Sequence, residues 1–92
     1  MESMSINEIY QRLEQLKGWE LTGNEITKDF QFNDFKAAME FVNNIAAEAE
    51  RVDHHPDITI KYNKVRISIT THSDSGLTYQ DFELAKFIEQ IV

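Results

Sequence analysis

The chain has no cysteine, one proline, three glycines and one tryptophan among 92 residues. Without cysteine, no disulfide can staple the fold and no thiolate can hold a metal. With so little glycine and proline there is no linker or low-complexity tract. Basic residues are also scarce, 9 against 16 acidic ones, for a formal net charge of -7. Lys28, Lys36, Arg51, Lys61, Lys64, Arg66 and Lys86 are scattered and interleaved with acids. A phosphate backbone needs a clustered basic face, so a nucleic-acid partner is not expected. No apolar run exceeds three residues, and Met1-Glu2-Ser3-Met4 is not a basic leader. A membrane helix and a signal peptide are both ruled against, and a soluble, cytoplasmic protein is expected.

What is present reads as an ordinary globular chain, 41% hydrophobic and 27% charged. Its length suits a single domain spanning residues 1–92. A chain this short buries only about 60–65% of its unfolded surface, so self-association is expected.

Two helix starts carry full signals. Ser5 and Glu8 form a capping box, with Met4 and Ile9 as its staple. Ile6, Ile9, Tyr10, Leu13 and Leu16 follow at helical spacing up to Gly18. Thr78 and Asp81 repeat the box, with Leu77 and Phe82 as staple and Phe82, Ala85, Ile88 and Ile91 as inner stripe. A middle helix is expected from near Asn33 to about Arg51, with Phe35, Ala38, Met39, Val42, Ile45, Ala46 and Ala49 inward. Between the helices lie two hairpins. Trp19, Leu21, Ile26, Phe30 and Phe32 alternate about Gly23-Asn24. Ile58, Ile60 and Tyr62, then Val65, Ile67 and Ile69, alternate about Asn63-Lys64, which leaves Thr59, Lys61, Arg66, Ser68, Thr70 and, by parity, His72 on a polar face. The order α-β-β-α-β-β-α implies an α+β two-layer sandwich, a four-stranded antiparallel sheet with three helices on one face.

All three histidines fall between positions 54 and 72. His54 and His55 leave a helix just before Pro56, whose extended geometry points neighbouring side chains apart. His72 precedes the loop Ser73-Asp74-Ser75-Gly76, and the hairpin returns it toward the His-His-Pro turn. Imidazoles exchange protons at neutral pH, and Glu50, Asp53 and Asp81 are acids able to orient one. No nucleophile elbow or phosphate loop accompanies them, so cofactor-free acid–base chemistry fits best. Structural readings stand beside this one. Asp81 is accounted for as a capping residue, Glu50 and Asp53 as a solvated helix end, Pro56 as a helix stop and Trp19 as core. A three-histidine metal site is the other chemical reading, but no two histidines share a helix face and no metal is expected.

Glu50, His54-His55-Pro56, Tyr62, His72 and Asp81 together, in this order and spacing, resemble the pterin-4a-carbinolamine dehydratase family. Tyr62-Asn63-Lys64-Val65, Phe87-Ile88-Glu89-Gln90, Gly18-Trp19 and the stretch from Phe30 to Phe35 are also similar to family sequence, and the likeness runs from about residue 5 to the end. The resemblance implies a hydro-lyase that expels the 4a-hydroxyl of a tetrahydropterin left by an aromatic amino acid hydroxylase. It implies His54 and His72 as the acid–base pair and His55 as a pterin contact. Asp53 and Thr71 would line the site, with Glu50 and Asp81 in support. Ile58 stands where many relatives carry an aromatic, and Thr70 and Ser73 flank His72 where relatives vary, which bears on substrate preference. The resemblance also implies homodimers by sheet extension, paired into homotetramers through helices. In animals the family doubles as a dimerisation cofactor of a homeodomain transcription factor, so a non-enzymatic interaction module is the alternative.

Overall fold

In the computed structural model, which describes residues 3–74 and 76–92, each helix begins at a side chain able to satisfy its unpaired backbone donors. Met1, Glu2 and Ser75, the last in the loop read after His72, lie outside the described residues. Helix α1 (Ile6–Leu13) starts at Ser5, whose hydroxyl accepts from the Glu8 N–H at 3.2 Å while Glu8 accepts from the Ser5 N–H at 3.1 Å. Those bonds from Ser5 hold the Glu8 carboxyl below its usual range. Their contribution is therefore present above the ordinary carboxylate pKa and is lost as pH falls through the lowered value.

Strands β1 (Glu20–Thr22) and β2 (Glu25–Gln31) pair Thr22 with Glu25 across Gly23-Asn24, and Gly23 takes the positive φ of 61° that the tight turn requires. Helix α2 (Phe35–Val52) is capped by Asp34, which accepts from the Ala37 N–H at 2.8 Å. Strands β3 (Asp57–Lys61) and β4 (Lys64–Ile69) form the second hairpin, and a 3₁₀ turn (His72–Asp74) leads to helix α3 (Tyr79–Ile91). The sheet is antiparallel in the order β1-β2-β4-β3.

Register separates the two faces. Leu21–Ile26–Ile69, Lys28–Ile67–Ile58 and Phe30–Val65–Ile60 form cross-strand rows on one face, and all but Lys28 join the core. The three helices complete that core with Ile9, Phe41, Ile45, Phe82, Leu84 and Ile88. On the other face stand polar rows such as Thr27–Ser68–Asp57 and Asp29–Arg66–Thr59. Lys28 is the polar exception inside. Its amine reaches Glu89 of α3 at 2.9 Å and the Lys17 carbonyl at 2.8 Å, and Glu89 also accepts from Trp19 Nε1 at 3.1 Å. A buried stem with a paired head explains its place.

The structure corrects several details of periodicity. α1 ends at Leu13, and Leu16 packs on the core from the turn that follows. Ile6 and Tyr10 are exposed, because of that stripe Ile9, Leu13 and Leu16 meet the core. On α2 Phe35 and Ala46 face outward, while Phe41 is buried against Phe30 and Phe32. The second hairpin turns one residue earlier than expected: Lys61 pairs with Lys64, so Tyr62-Asn63 is the turn. Tyr62 takes a φ of 54°, and the Asn63 amide donates to the Phe32 carbonyl at 2.8 Å, pinning that turn to β2's end.

Ile67 is fully buried, so Ile67→Ala should cost about 2–5 kcal/mol in urea unfolding. Val92→Ala, at a side chain 65% exposed, should change stability by less than about 0.5 kcal/mol. Equal losses at the two positions would contradict this assignment of the core.

Candidate active site

The first constraint on the site is how α2 stops. Asp53 adopts the left-handed conformation (φ 53°, ψ 46°), which Asp tolerates better than most residues. The His54 N–H then reaches back to the Ala49 carbonyl at 3.0 Å, and the Asp53 N–H to the Glu50 carbonyl at 3.3 Å. This left-handed closure swings His54 inward. Its ring is only 10% exposed, whereas His55 remains open to solvent. The expected divergence of the two neighbours is present, but His54 is a buried residue, not a solvated loop histidine.

His54 meets a carboxylate that is wholly buried. Asp81 Oδ1 lies 2.6 Å from His54 Nε2. Asp81 Oδ2 accepts from the Thr71 hydroxyl and from the Thr78 N–H, each at 2.8 Å. Because Thr71 spends its one hydroxyl proton on Asp81, the Thr78 hydroxyl donates to Thr71 Oγ1 at 3.0 Å. An ionised carboxylate can only accept, so toward an ionised Asp81 a neutral His54 donates through Nε2. Nε2 therefore carries the ring proton, and Nδ1 retains its lone pair. Among the described residues no group pairs with Nδ1.

The remaining expected residues fall around this centre. Glu50 and His55 hydrogen-bond to each other at the exposed end of α2. Asp53 is exposed, and its backbone shape is what the structure uses. Thr71 is buried at the end of β4, joined to Gly76 by an isolated antiparallel bridge. His72 does not continue the polar strand face as parity suggested. It begins the exposed 3₁₀ turn beside the Asp81 network, because β4 ends at Ile69. The Thr70 hydroxyl is occupied by the Asn24 carbonyl at 2.6 Å. Ile58 packs against the core and lies in neither the cleft that includes His54 nor the one that includes His72. Among the described residues no group of three or more His, Asp or Glu side chains is arranged to hold a metal ion.

Two clefts flank the centre. One of about 340 Å³ is bordered by His54, Val52, Tyr79 and Leu84, with Arg51 and Glu83 at its rim. The other, about 600 Å³, includes His72, Thr71 and the Gly23-Asn24 turn. A third of about 540 Å³ lies on the open sheet face, between Asp29, Thr59, Lys61 and Arg66, and includes none of the histidines. Reading the sequence missed Tyr79 and the use of Thr78 beyond capping. Thr71 reaches Asp81 only through tertiary contact, whereas the Thr78 N–H meets Asp81 three residues on, as the capping-box spacing indicates.

Comparison with known proteins identifies the family and matches the fold. The family model described as pterin 4 alpha carbinolamine dehydratase matches residues 2–91. A Sulfurisphaera tokodaii protein, provisionally named a pterin-4-alpha-carbinolamine dehydratase, is 45% identical over 92 residues, covering 100% of this chain and 99% of its own. A Roseiflexus relative with the same provisional name is 49% identical over 89 residues, 97% and 96% of the two chains. The crystal structure of a transcriptional coactivator/pterin dehydratase from Brucella melitensis superposes with a TM-score of 0.95 at 34% identity, over 98% of each chain. A pterin dehydratase-like RuBisCO assembly factor of the alpha-carboxysome shares the fold alone, with a TM-score of 0.67 at 19% identity over 79% and 84% of the chains. With a family match across nearly its full length and relatives aligned end to end, this chain belongs to the pterin 4 alpha carbinolamine dehydratase family.

Proposed function

We propose that this chain converts a 4a-hydroxytetrahydropterin to the quinonoid dihydropterin, recycling the pterin of an aromatic amino acid hydroxylase in the cytoplasm without a cofactor of its own. The reaction removes the proton on N5, forms the N5–C4a double bond and expels the 4a-hydroxyl, once protonated, as water. His54 is the base at N5 through Nδ1. The observation that carries this reading is the buried Asp81 carboxylate behind Nε2, which stabilises the imidazolium as the proton arrives. His72, on an exposed turn in contact with water, supplies the proton to the leaving hydroxyl. His55, held by Glu50, binds the pterin, and Asp53 and Thr71 border it. The description of the Brucella protein as a coactivator favours a second reading, a non-enzymatic interaction module. That reading leaves the His54–Asp81 pair a structural use but gives none to the unpaired Nδ1 of His54.

Stopped-flow dehydration of chemically generated 4a-hydroxytetrahydropterin tests the proposal. Wild-type protein should accelerate the decay, and an unchanged spontaneous rate would refute the enzyme. His54→Gln keeps a donor for Asp81 but has no base, so kcat should fall about 100-fold or more. His54→Ala should lose activity and, by stripping a partner from a buried carboxylate, about 1–3 kcal/mol of stability as well. His72→Ala should lower kcat, whereas His55→Ala should mainly raise KM. Wild-type rates in both His54 variants would remove the mechanism.

The same reading includes self-association. β1 and β3 are the outer strands of the sheet, open to extension by a second copy. Exposed Ile6, Tyr10 and Phe35 add apolar helix surface suited to pairing dimers into tetramers. Sedimentation at micromolar concentration should show two or four chains per particle. A single species at one chain's mass, 10.8 kDa, would overturn this part.

A further inference from the structure

The proposed reaction uses His54 and the carboxylate behind it, and gives no part to the Thr78 hydroxyl on the far side of that carboxylate. Thr78 and Thr71 are both buried, Thr78 with no exposure at all. Hydroxyls in a dry interior direct their protons to whatever acceptors they touch. Here they form one chain. The Thr78 hydroxyl donates to Thr71 Oγ1 at 3.0 Å, and the Thr71 hydroxyl donates to Asp81 Oδ2 at 2.8 Å. Reversing that direction would turn the Thr71 proton away from the carboxylate and take a donor from a charge that water does not reach. The Thr78 N–H is the second donor to Oδ2, also at 2.8 Å.

Donors at Oδ2 govern what Oδ1 does. Negative charge drawn toward two donors at one oxygen is withdrawn from the other, which lies 2.6 Å from His54 Nε2. In a hydrogen-bond chain each bond strengthens the next, by about 10–30% in condensed phases. The Thr78 hydroxyl thus polarises the Thr71 O–H toward Asp81 and moderates the pull of Oδ1 on the imidazole. A general base must also give up the proton it takes, so a carboxylate that stabilises the imidazolium too well stalls the next turnover. Resting on the dehydratase reading above, we infer that Thr78 is a positioning residue of that reaction. Acting through Thr71 and Asp81, its hydroxyl limits the hold on the His54 proton and returns the ring to its neutral form.

Other groups around His54 do not share this role. Glu48 and Arg51 of α2 border its cleft and are bound to each other, while Tyr79 and Glu83 border it from α3. Among the described residues none of these four has a hydrogen bond to Thr78, Thr71 or Asp81. A substitution at the Thr78 hydroxyl therefore reaches His54 along one route.

Thr78→Val removes the hydroxyl while keeping the branched shape, and Thr78→Ser keeps the hydroxyl. The proton resonance of His54 Nε2–H reads the strength of its bond to Asp81 without any substrate. It should move to lower field in Thr78→Val, move further in Thr71→Val, and stay at the wild-type position in Thr78→Ser. On the acid side of the rate profile, Thr78→Val should dehydrate 4a-hydroxytetrahydropterin about two- to fivefold more slowly than wild type, converging with it as pH rises. Thr78→Ser should follow the wild-type profile. A Thr78→Val protein that unfolds more easily but keeps the wild-type resonance and profile overturns the inference, since a purely structural threonine would behave so. Where Thr78→Val does not fold, an unmoved resonance in Thr71→Val overturns it equally. A wild type without dehydratase activity overturns the reading beneath the inference, and the resonance, which needs no substrate, tells that failure from a failure of the coupling.

Discussion

A carboxylate with no solvent exposure must find its donors within the protein or lose its charge, and Asp81 finds three. They come from three separate segments: His54 just past α2, Thr71 just past β4, and the Thr78 backbone at the start of α3. Lying in the first turn of α3, Asp81 also meets the positive end of that helix dipole. The end of one helix, the end of a central strand and the beginning of another helix thus converge on one side chain. Removing it would leave donors from all three elements unpaired in a dry interior, so the carboxylate that organises the fold also organises the site.

Much of this was legible along the chain. Caps are local chemistry, and Ser5 with Glu8 and Thr78 with Asp81 mark both helix starts correctly. The alternation of Ile58 and Ile60 with Val65, Ile67 and Ile69 fixes which sheet face is buried. The candidate site residues were legible as a histidine cluster with neighbouring acids, and their separate roles only as a family pattern. From spacing alone Asp81 was either a capping residue or a site residue. Its Oδ2 serves the cap while its Oδ1 meets His54, so capping leaves one oxygen for the histidine.

What was not legible depended on long-range contact or on single backbone angles. Parity carried His72 past the true end of β4, since nothing local announces that Thr70 would bond the Asn24 carbonyl and Thr71 turn inward to Asp81. The left-handed angle at Tyr62 moved a turn by one residue. Phe41 escaped the α2 stripe because its partners, Phe30 and Phe32, sit on and beside a strand earlier in the chain. Ile6 and Tyr10 have helical spacing but lie where the sheet and α3 do not reach. Periodicity states which residues share a face, and only the assembled layers decide how wide the buried part of that face is.

The central claim is that Asp81 holds the ring proton of His54 on Nε2 and leaves Nδ1 free as a base. Nitrogen-15 NMR of the imidazole rings, recorded at alkaline pH, reads this directly. The account predicts a single His54 tautomer with the proton on Nε2, exchanging slowly with water, and loss of that protection in Asp81→Asn while the His72 signals keep their position. A His54 proton on Nδ1, or one exchanging as fast as those of His55 and His72 and indifferent to Asp81→Asn, would contradict it.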